Sequence, residues 1–308
     1  MARLLLTRSV ARTLALLVMA TVLAGCGRVF FYPQRILPFT PEAADLVWED
    51  VWLRAADGVA LHAWYLPAEG ETRGTVLYLH GNGGNVATQL PAVYWLPARG
   101  YAVLMPDYRG YGRSQGSVSI EGAMRDVQAA LAWLAGEERA RTQGVVVLGQ
   151  SLGGALAVQA LVRAEQLPPL RGVVLDSSFA SFRRIAREKL DQFWLTWPLQ
   201  WPLAMTIPDR HSPVRAIAAL SPVPVLIIHG AKDPIVPFEH GAALYRAARE
   251  PRELWRIPLD GHIAAFTREE YRERMTAWLD RAFDAARASV REEQGQRQGI
   301  EDAGEGQD

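Results

Sequence analysis

Short apolar runs alternate with stretches of helical periodicity through the middle of the chain. Five of these runs contain three or four apolar residues in succession, which is typical of strands buried on both faces of a parallel sheet. The runs are 76–79, 102–105, 145–148, 173–175 and 225–228. Helical patterns occupy 85–98, 119–135, 152–164, 238–249 and about 267–287, and a last strand is expected at 253–258. The alternation predicts a mostly parallel central sheet with helices between its strands.

A turn signal precedes these elements. Asp57-Gly58 separates two further strand patterns at 47–53 and 59–66, and this dipeptide favours a tight hairpin turn. We therefore expect an antiparallel pair at one edge of the sheet. With this pair the sheet has eight strands.

One long interval, 182–220, breaks the alternation between the sixth and seventh strands. It contains Trp194, Trp197, Trp201 and several prolines. An insertion of this size predicts a small helical cap over the sheet. We expect the tryptophans to pack the inserted helices, and an apolar acyl pocket or a membrane contact is the alternative.

The start of the chain has the pattern of an export signal. Residues 1–25 contain three arginines and no acid, with an apolar run from Leu14 to Leu23 that is too short to cross a bilayer in a helix. The run ends in Leu23-Ala24-Gly25-Cys26, which resembles the bacterial lipobox, and Cys26 is the only cysteine. This predicts a diacylated Cys26 at the mature N-terminus; an ordinary cleaved signal peptide and an uncleaved anchor are the alternatives. Gly27 favours the periplasmic face of the outer membrane.

The remaining boundaries follow from composition. Residues 26–44 are expected to form a membrane-proximal stalk, residues 45–288 a single domain, and residues 289–308 a disordered acidic tail. The 33 basic and 33 acidic side chains of the chain cancel because a basic start offsets an acidic end around a nearly neutral body. A neutral body argues against nucleic acid as a partner, since binding phosphates requires a basic face.

The candidate chemistry begins at Gly149-Gln150-Ser151-Leu152-Gly153, which matches the G-x-S-x-G pattern of a serine on a sharp strand-to-helix turn. An apolar run precedes it and a small-residue helix pattern follows, so the context fits. A phosphate-binding loop is the alternative, but a P-loop lysine is absent from this motif. Ser151 is therefore the candidate nucleophile.

A serine hydroxyl needs a base within hydrogen-bonding reach, and six histidines compete for that role. His262 follows the last strand in Asp260-Gly261-His262, on a loop before the final helix, and His240 is second choice. A carboxylate must orient the imidazole, and Asp233 follows the seventh strand where it could do so. Asp176 at the end of the sixth strand is the competitor. Asp260 is too close in sequence to His262 for an easy side-chain bridge.

A loop rich in glycine, His80-Gly81-Asn82-Gly83-Gly84-Asn85, follows the third strand. Backbone N–H groups in such a loop can stabilise the negative oxygen of a tetrahedral intermediate. We predict the N–H groups of Asn82 and Leu152 as the two oxyanion donors.

Five motifs carry a family resemblance: the glycine loop, Asp107 to Ser114, the serine elbow Gly149 to Gly153, 229–237 and Asp260-Gly261-His262. Over residues 45–288 the chain resembles the α/β-hydrolase superfamily. The resemblance is closest to serine aminopeptidase-like and lipid-acting members. It implies the α/β-hydrolase fold with helices on both faces, the roles of Ser151, His262 and Asp233, and no metal or redox cofactor. Serine at position 151 separates the chain from dehalogenase and epoxide-hydrolase relatives, which have aspartate there.

The resulting expectation is a serine hydrolase that cleaves carboxylic ester or thioester bonds of apolar acyl substrates, either small molecules or lipids. One alternative is a peptidase, which would need carboxylates near the pocket to bind a free amine. The other is a lipoprotein that keeps the fold as a scaffold without turnover.

Overall fold

The computed structural model describes residues 30–192, 194–259 and 261–285. The predicted signal peptide, the lipidation of Cys26, the acidic tail and Asp260 lie outside these residues.

Eight strands form the central sheet, in the spatial order β8-β7-β6-β5-β3-β4-β2-β1. In this order, neighbouring strands from β8 to β4 pair in parallel, whereas β2 pairs antiparallel with both β4 and β1. The strands are β1 Glu49–Arg54, β2 Ala60–Leu66, β3 Gly74–Leu79, β4 Tyr101–Pro106, β5 Val145–Gln150, β6 Leu170–Asp176, β7 Val225–Gly230 and β8 Arg252–Ile257. The expected hairpin and the mostly parallel sheet are thus both present.

Alternate residues of the inner strands face opposite sides of the sheet, and both sides are covered. In β3, Leu77 and Leu79 belong to one apolar cluster, whereas Val76 and Tyr78 belong to the other. A strand buried on both faces needs apolar residues at every position, which explains the uninterrupted runs in the sequence.

The helices are α1 Val86–Gln89, α2 Ile120–Gly136, α3 Glu138–Gln143, α4 Leu152–Arg163, α5 Phe182–Asp191, α6 Gln200–Met205, α7 Phe238–Ala247 and α8 269–285. The cluster that contains Leu77 includes residues of α2, α4 and α7, and the other cluster includes residues of α1 and α8. The helices therefore cover both faces of the sheet, as predicted. In the described part of the chain, no helix is both long and apolar enough to cross a bilayer.

The prediction of one helix over 85–98 is wrong. After the single turn of α1 the chain forms short 3-10 segments at Leu90–Ala92 and Pro97–Arg99. Pro91 and Pro97 lack the N–H that an α-helix requires, so they divide the segment. The short helix α3 was not expected.

The cap consists mainly of α5 and α6, inserted after the sixth strand as predicted. The expectation that its tryptophans pack the inserted helices is met in part: the ring of Trp201 contacts Arg187 of α5, but all three tryptophans are largely exposed. Trp194, Trp197 and Trp201 are 79%, 58% and 61% exposed.

Residues before the first sheet strand lie against the domain. Tyr32–Pro33 pairs in parallel with Gly83–Gly84 of the glycine loop. The ring of Phe30 packs edge-on against Phe182 at 5.2 Å. The chain ahead of the sheet therefore contacts both the glycine loop and the cap.

The stretch from Asp107 to Ser114, which follows β4, connects α2, the hairpin turn between β1 and β2, and the glycine loop. The guanidinium of Arg109 donates three hydrogen bonds to Asp126 and two to Asp57, at 2.7 to 3.1 Å. The hydroxyl of Tyr108 donates to the backbone oxygen of His80. These contacts are structural.

Candidate active site

Ser151 stands on a strained turn between β5 and α4. Its φ of 51° and ψ of −113° lie outside the conformations that serine favours. It precedes the first helical residue, yet its side chain accepts no capping hydrogen bond from the helix. The turn thus leaves the Ser151 hydroxyl available for chemistry, at the wall of a cavity.

Two glycines make this turn possible. A Cβ on Gly149 would lie 2.5 Å from the Cα of Gly154, and a Cβ on Gly153 would overlap the carbonyl oxygen of Leu79. A larger residue at 149 would push β5 away from α4, and one at 153 would push α4 away from the end of β3. The G-x-S-x-G spacing therefore has a direct steric cause here.

His262 and Asp233 form a hydrogen-bonded pair. Nδ1 of His262 donates to Oδ2 of Asp233 at 2.8 Å, while Oδ1 of Asp233 accepts the N–H groups of Ile235 and Val236. Burial opposes ionisation of Asp233, but the hydrogen bond and charge of His262 together with the N–H groups of Val236 and Ile235 outweigh it, so the pKa of Asp233 lies below the usual value. The carboxylate is held ionised and fixes the imidazole so that Nε2 is left for proton transfer.

Ser151 and His262 line the same cavity. Within the described residues, no hydrogen bond joins the Ser151 hydroxyl to the imidazole. In free enzymes this contact often tightens only when substrate binds. The backbone of the next residue, Ile263, donates to the hydroxyl of Ser177 at 3.1 Å and so anchors the histidine loop beside β6.

Asp176, the competing acid, has other partners. Its Oδ2 accepts a hydrogen bond from Gln150 at 2.8 Å, and the hydroxyl of Ser177 donates to its Oδ1. The carboxyl is completely buried, and burial raises its pKa to about 6. These bonds tie the ends of β5 and β6 together, which is a structural role.

The remaining histidines are engaged elsewhere. His240, the second choice for the base, accepts the N–H of Ala180 and donates to Glu188. His229 donates to the carbonyl of Val236, and His80 to that of Gly81. Among the residues described, His262 is the histidine that lines the cavity beside Ser151.

The two predicted oxyanion donors also line this cavity. Leu152 is the first residue of α4, so its N–H lacks an acceptor within the helix. Asn82 is held from two sides: the hydroxyl of Tyr111 donates to its backbone oxygen at 2.7 Å, and its side-chain oxygen accepts the N–H of Tyr32 at 2.8 Å. These contacts fix the loop that presents the Asn82 amide.

Several residues around the site escaped the sequence analysis. The hydroxyl of Ser178 donates to the backbone oxygen of Ser151, and Ser177 holds the histidine loop. Their position directly after β6 was the only available signal. Tyr111 lies within the Asp107 to Ser114 motif, but its bond to Asn82 depends on a loop geometry that sequence spacing does not define.

The cavity has a volume of about 970 Å³. Its apolar wall comes from the cap, from the loop after β7 and from the start of the described chain. The apolar lining residues include Phe30, Phe179, Ile185, Leu190, Leu203, Ile207, Ile235 and Ile263. No carboxylate is among the described lining residues. As far as the structure describes the chain, no group of three or more His, Cys, Asp or Glu side chains is placed to hold a metal ion.

Comparison with known proteins identifies the family. A family model described as serine aminopeptidase, S33, matches residues 70–217. The uncharacterized protein YfhR of Salmonella typhi is 35% identical over 272 residues, which cover 83% of this chain and 88% of YfhR. The α/β-hydrolase domain-containing protein WAV2 of Arabidopsis thaliana is also 35% identical, over 77% of this chain and 76% of WAV2. The chain belongs to the α/β-hydrolase superfamily.

Solved structures agree with the architecture of an α/β-hydrolase. The esterase Pf2001 of Pyrococcus furiosus superposes with a TM-score of 0.65 and 23% identity, over 82% of this chain and 98% of the esterase. An esterase of Exiguobacterium antarcticum superposes with a TM-score of 0.56 and 19% identity, over 75% of this chain and 99% of that esterase. The α/β-hydrolase fold expected from the sequence is confirmed. Membership of this superfamily supports hydrolase activity in general.

The two candidate acids of this α/β-hydrolase are separable by mutation. Asp233→Asn removes the charge that orients and stabilises the imidazolium, so we expect kcat for a soluble ester to fall by about 10⁴-fold. Asp176→Asn is the matched control, because an amide can still bond to Gln150, and we expect kcat near the wild-type value. If only Asp176→Asn abolished turnover, the assignment of Asp233 would be wrong.

Tyr111→Phe tests the support of the oxyanion loop. Loss of the hydroxyl removes the hydrogen bond to the backbone oxygen of Asn82. If that bond contributes about 1.4 kcal/mol to transition-state stabilisation, we expect kcat to fall about tenfold. KM should change little, since the bond positions a group that acts in the transition state. Tyr65→Phe, a buried tyrosine outside the cavity lining, is the control. An unchanged kcat in folded Tyr111→Phe protein would contradict this positioning role.

Proposed function

We propose that this α/β-hydrolase is a serine hydrolase that cleaves carboxylic ester or thioester bonds of apolar acyl substrates through an acyl-enzyme. One observation carries the proposal: Ser151, on its strained turn, shares an apolar cavity with a His262 that Asp233 orients. The family supports hydrolase activity in general. The nucleophile and the type of bond are inferred from the site.

The reaction requires two proton transfers through one imidazole. His262 Nε2 takes the proton of Ser151 as the serine oxygen attacks the acyl carbonyl carbon. The negative oxygen of the tetrahedral intermediate is held by the amides of Asn82 and Leu152. His262 then returns the proton to the leaving alcohol or thiol, and the acyl group remains on Ser151.

Water completes the cycle by the same steps. His262 takes a proton from water, the hydroxide attacks the acyl-enzyme, and the intermediate collapses as Ser151 regains its proton. The carboxylic acid leaves. Asp233 remains ionised throughout and stabilises the imidazolium at each transfer.

The cavity wall favours acyl substrates over peptides with a free amine. An aminopeptidase needs a carboxylate to bind the substrate ammonium group, and the described lining residues include none. The charged side chain at the cavity is Lys189, which repels an ammonium group. Apolar side chains dominate the rest of the wall, so an acyl chain gains by leaving water there.

An acyl-chain series tests this function. We expect the wild-type protein to hydrolyse p-nitrophenyl esters, with kcat/KM rising as the chain lengthens, since each buried methylene is worth up to about 0.8 kcal/mol. Ser151→Ala should lower kcat by about 10⁶-fold, and Ser221→Ala, outside the cavity, should not. Folded wild-type protein without ester or thioester turnover would favour the scaffold alternative. Preference for aminoacyl amides would favour a peptidase.

We further propose that the protein is a lipoprotein on the periplasmic face of the outer membrane. The proposal is supported by the arginine-led apolar start, by Leu23-Ala24-Gly25-Cys26 and by the absence of any other cysteine from the sequence. Two acyl chains on one residue supply stable membrane attachment without a spanning helix.

Metabolic labelling tests the anchor. Labelled palmitate should be incorporated into the wild-type protein in a bacterial host and lost in Cys26→Ser, since acyl transfer requires the thiol. Ser151→Ala should retain the label, which separates lipidation from an acyl-enzyme. Label that persists in Cys26→Ser would place acylation elsewhere.

A further inference from the structure

The cap has an exposed apolar surface beside the cavity. Six large apolar residues within twelve positions are each more than half exposed. This cap surface consists of Trp194, Leu195, Trp197, Leu199, Trp201 and Met205. Trp197, Trp201 and Met205 follow one another at four-residue spacing, so they fall on one side of α6 and its preceding turn. Exposed apolar residues at such density mark an interaction surface.

The charges around the cap surface are mainly positive. Helix α5 has four basic side chains against two acidic ones, and residues 194–206 have no charged side chain. The guanidinium of Arg187 lies 4.6 Å from the ring centre of Trp201. Tryptophan with adjacent basic side chains is the composition that binds the interface of an anionic bilayer, because the rings enter the headgroup region and the cations pair with phosphates.

The other side of the same helices forms the cavity wall. Ile185 and Leu190 of α5 and Leu203 of α6 line the cavity, whereas Trp201 and Met205 are exposed. Whatever covers the cap surface is therefore separated from the cavity only by these two helices.

The described chain begins next to the cap. Phe30, the first described residue, lines the cavity and packs against Phe179 and Phe182 at the base of the cap. Three residues separate it from Cys26, so the Cα atoms of Phe30 and Cys26 are at most ~14 Å apart when the chain is fully extended. A lipid anchor on Cys26 would therefore hold the cap side of the molecule close to the bilayer.

We propose that the cap surface binds a phospholipid bilayer, with its apolar side chains in the headgroup region and the arginine side chains of α5 against anionic lipid. The cavity wall formed by α5 and α6 then lies next to the bilayer. Docking itself does not require catalysis, whereas the supply of membrane-partitioned acyl substrate to Ser151 rests on the proposed function.

Tryptophan quenching by brominated lipid tests the docking directly. The full chain is reconstituted in vesicles of brominated phosphatidylcholine with phosphatidylglycerol. None of the ten tryptophans lies in residues 1–29, so the anchor itself gives no signal. We expect quenching in the wild type, and loss of most of it in a variant with Trp194→Phe, Trp197→Phe and Trp201→Phe.

The matched control is Trp52→Phe, because Trp52 is as exposed as the cap tryptophans but lies on the edge strand β1. It should retain the quenching of the wild type. Ser151→Ala should also retain it, so the result is independent of any activity. An unquenched wild type, or a triple variant quenched as strongly as the wild type, would overturn the proposal. Equal quenching without phosphatidylglycerol would overturn the role of the basic side chains.

Discussion

The close approach of β5 and α4 at Ser151 is the constraint on which the site depends. Gly149 lets β5 approach α4, and Gly153 lets α4 approach the end of β3, to distances that a Cβ would block; the serine between them adopts a positive φ. The strained turn points the start of α4 at the cavity, so that one short segment supplies both the candidate nucleophile and the Leu152 amide. The remaining parts of the site are brought to this point by neighbouring strand ends.

Those parts are fixed by bonds that do not depend on substrate. Asp233 is held by two backbone amides and in turn holds His262. Asn82 is held by Tyr111 and by the backbone of Tyr32, which precedes the sheet altogether. The segment that would connect the domain to a lipid anchor therefore also supports the oxyanion loop. Preorganised donors of this kind are what acyl transfer requires, because they stabilise charge without rearrangement during the reaction.

The sheet could be predicted because strands buried on both faces must be apolar at every position. The turn at Ser151 could be predicted because close packing there requires glycine at a fixed spacing. The helix expected over 85–98 failed where Pro91 and Pro97 interrupt it. The exposure of the cap tryptophans could not be predicted, since periodicity in so short an insertion does not distinguish its outer side from its inner side. The bond between Tyr111 and Asn82 joins two loops, and loop conformation leaves no periodic pattern in sequence.

The central claim is that Ser151 is the nucleophile of this α/β-hydrolase, and covalent capture by a fluorophosphonate tests it most directly. Such a probe reacts with a serine that a neighbouring base activates, so intact mass spectrometry should show one adduct on the wild-type protein, located at Ser151 by peptide mapping. Ser151→Ala should remain unlabelled. Wild-type protein that is folded by circular dichroism yet unlabelled, or an adduct that persists in Ser151→Ala, would contradict the account.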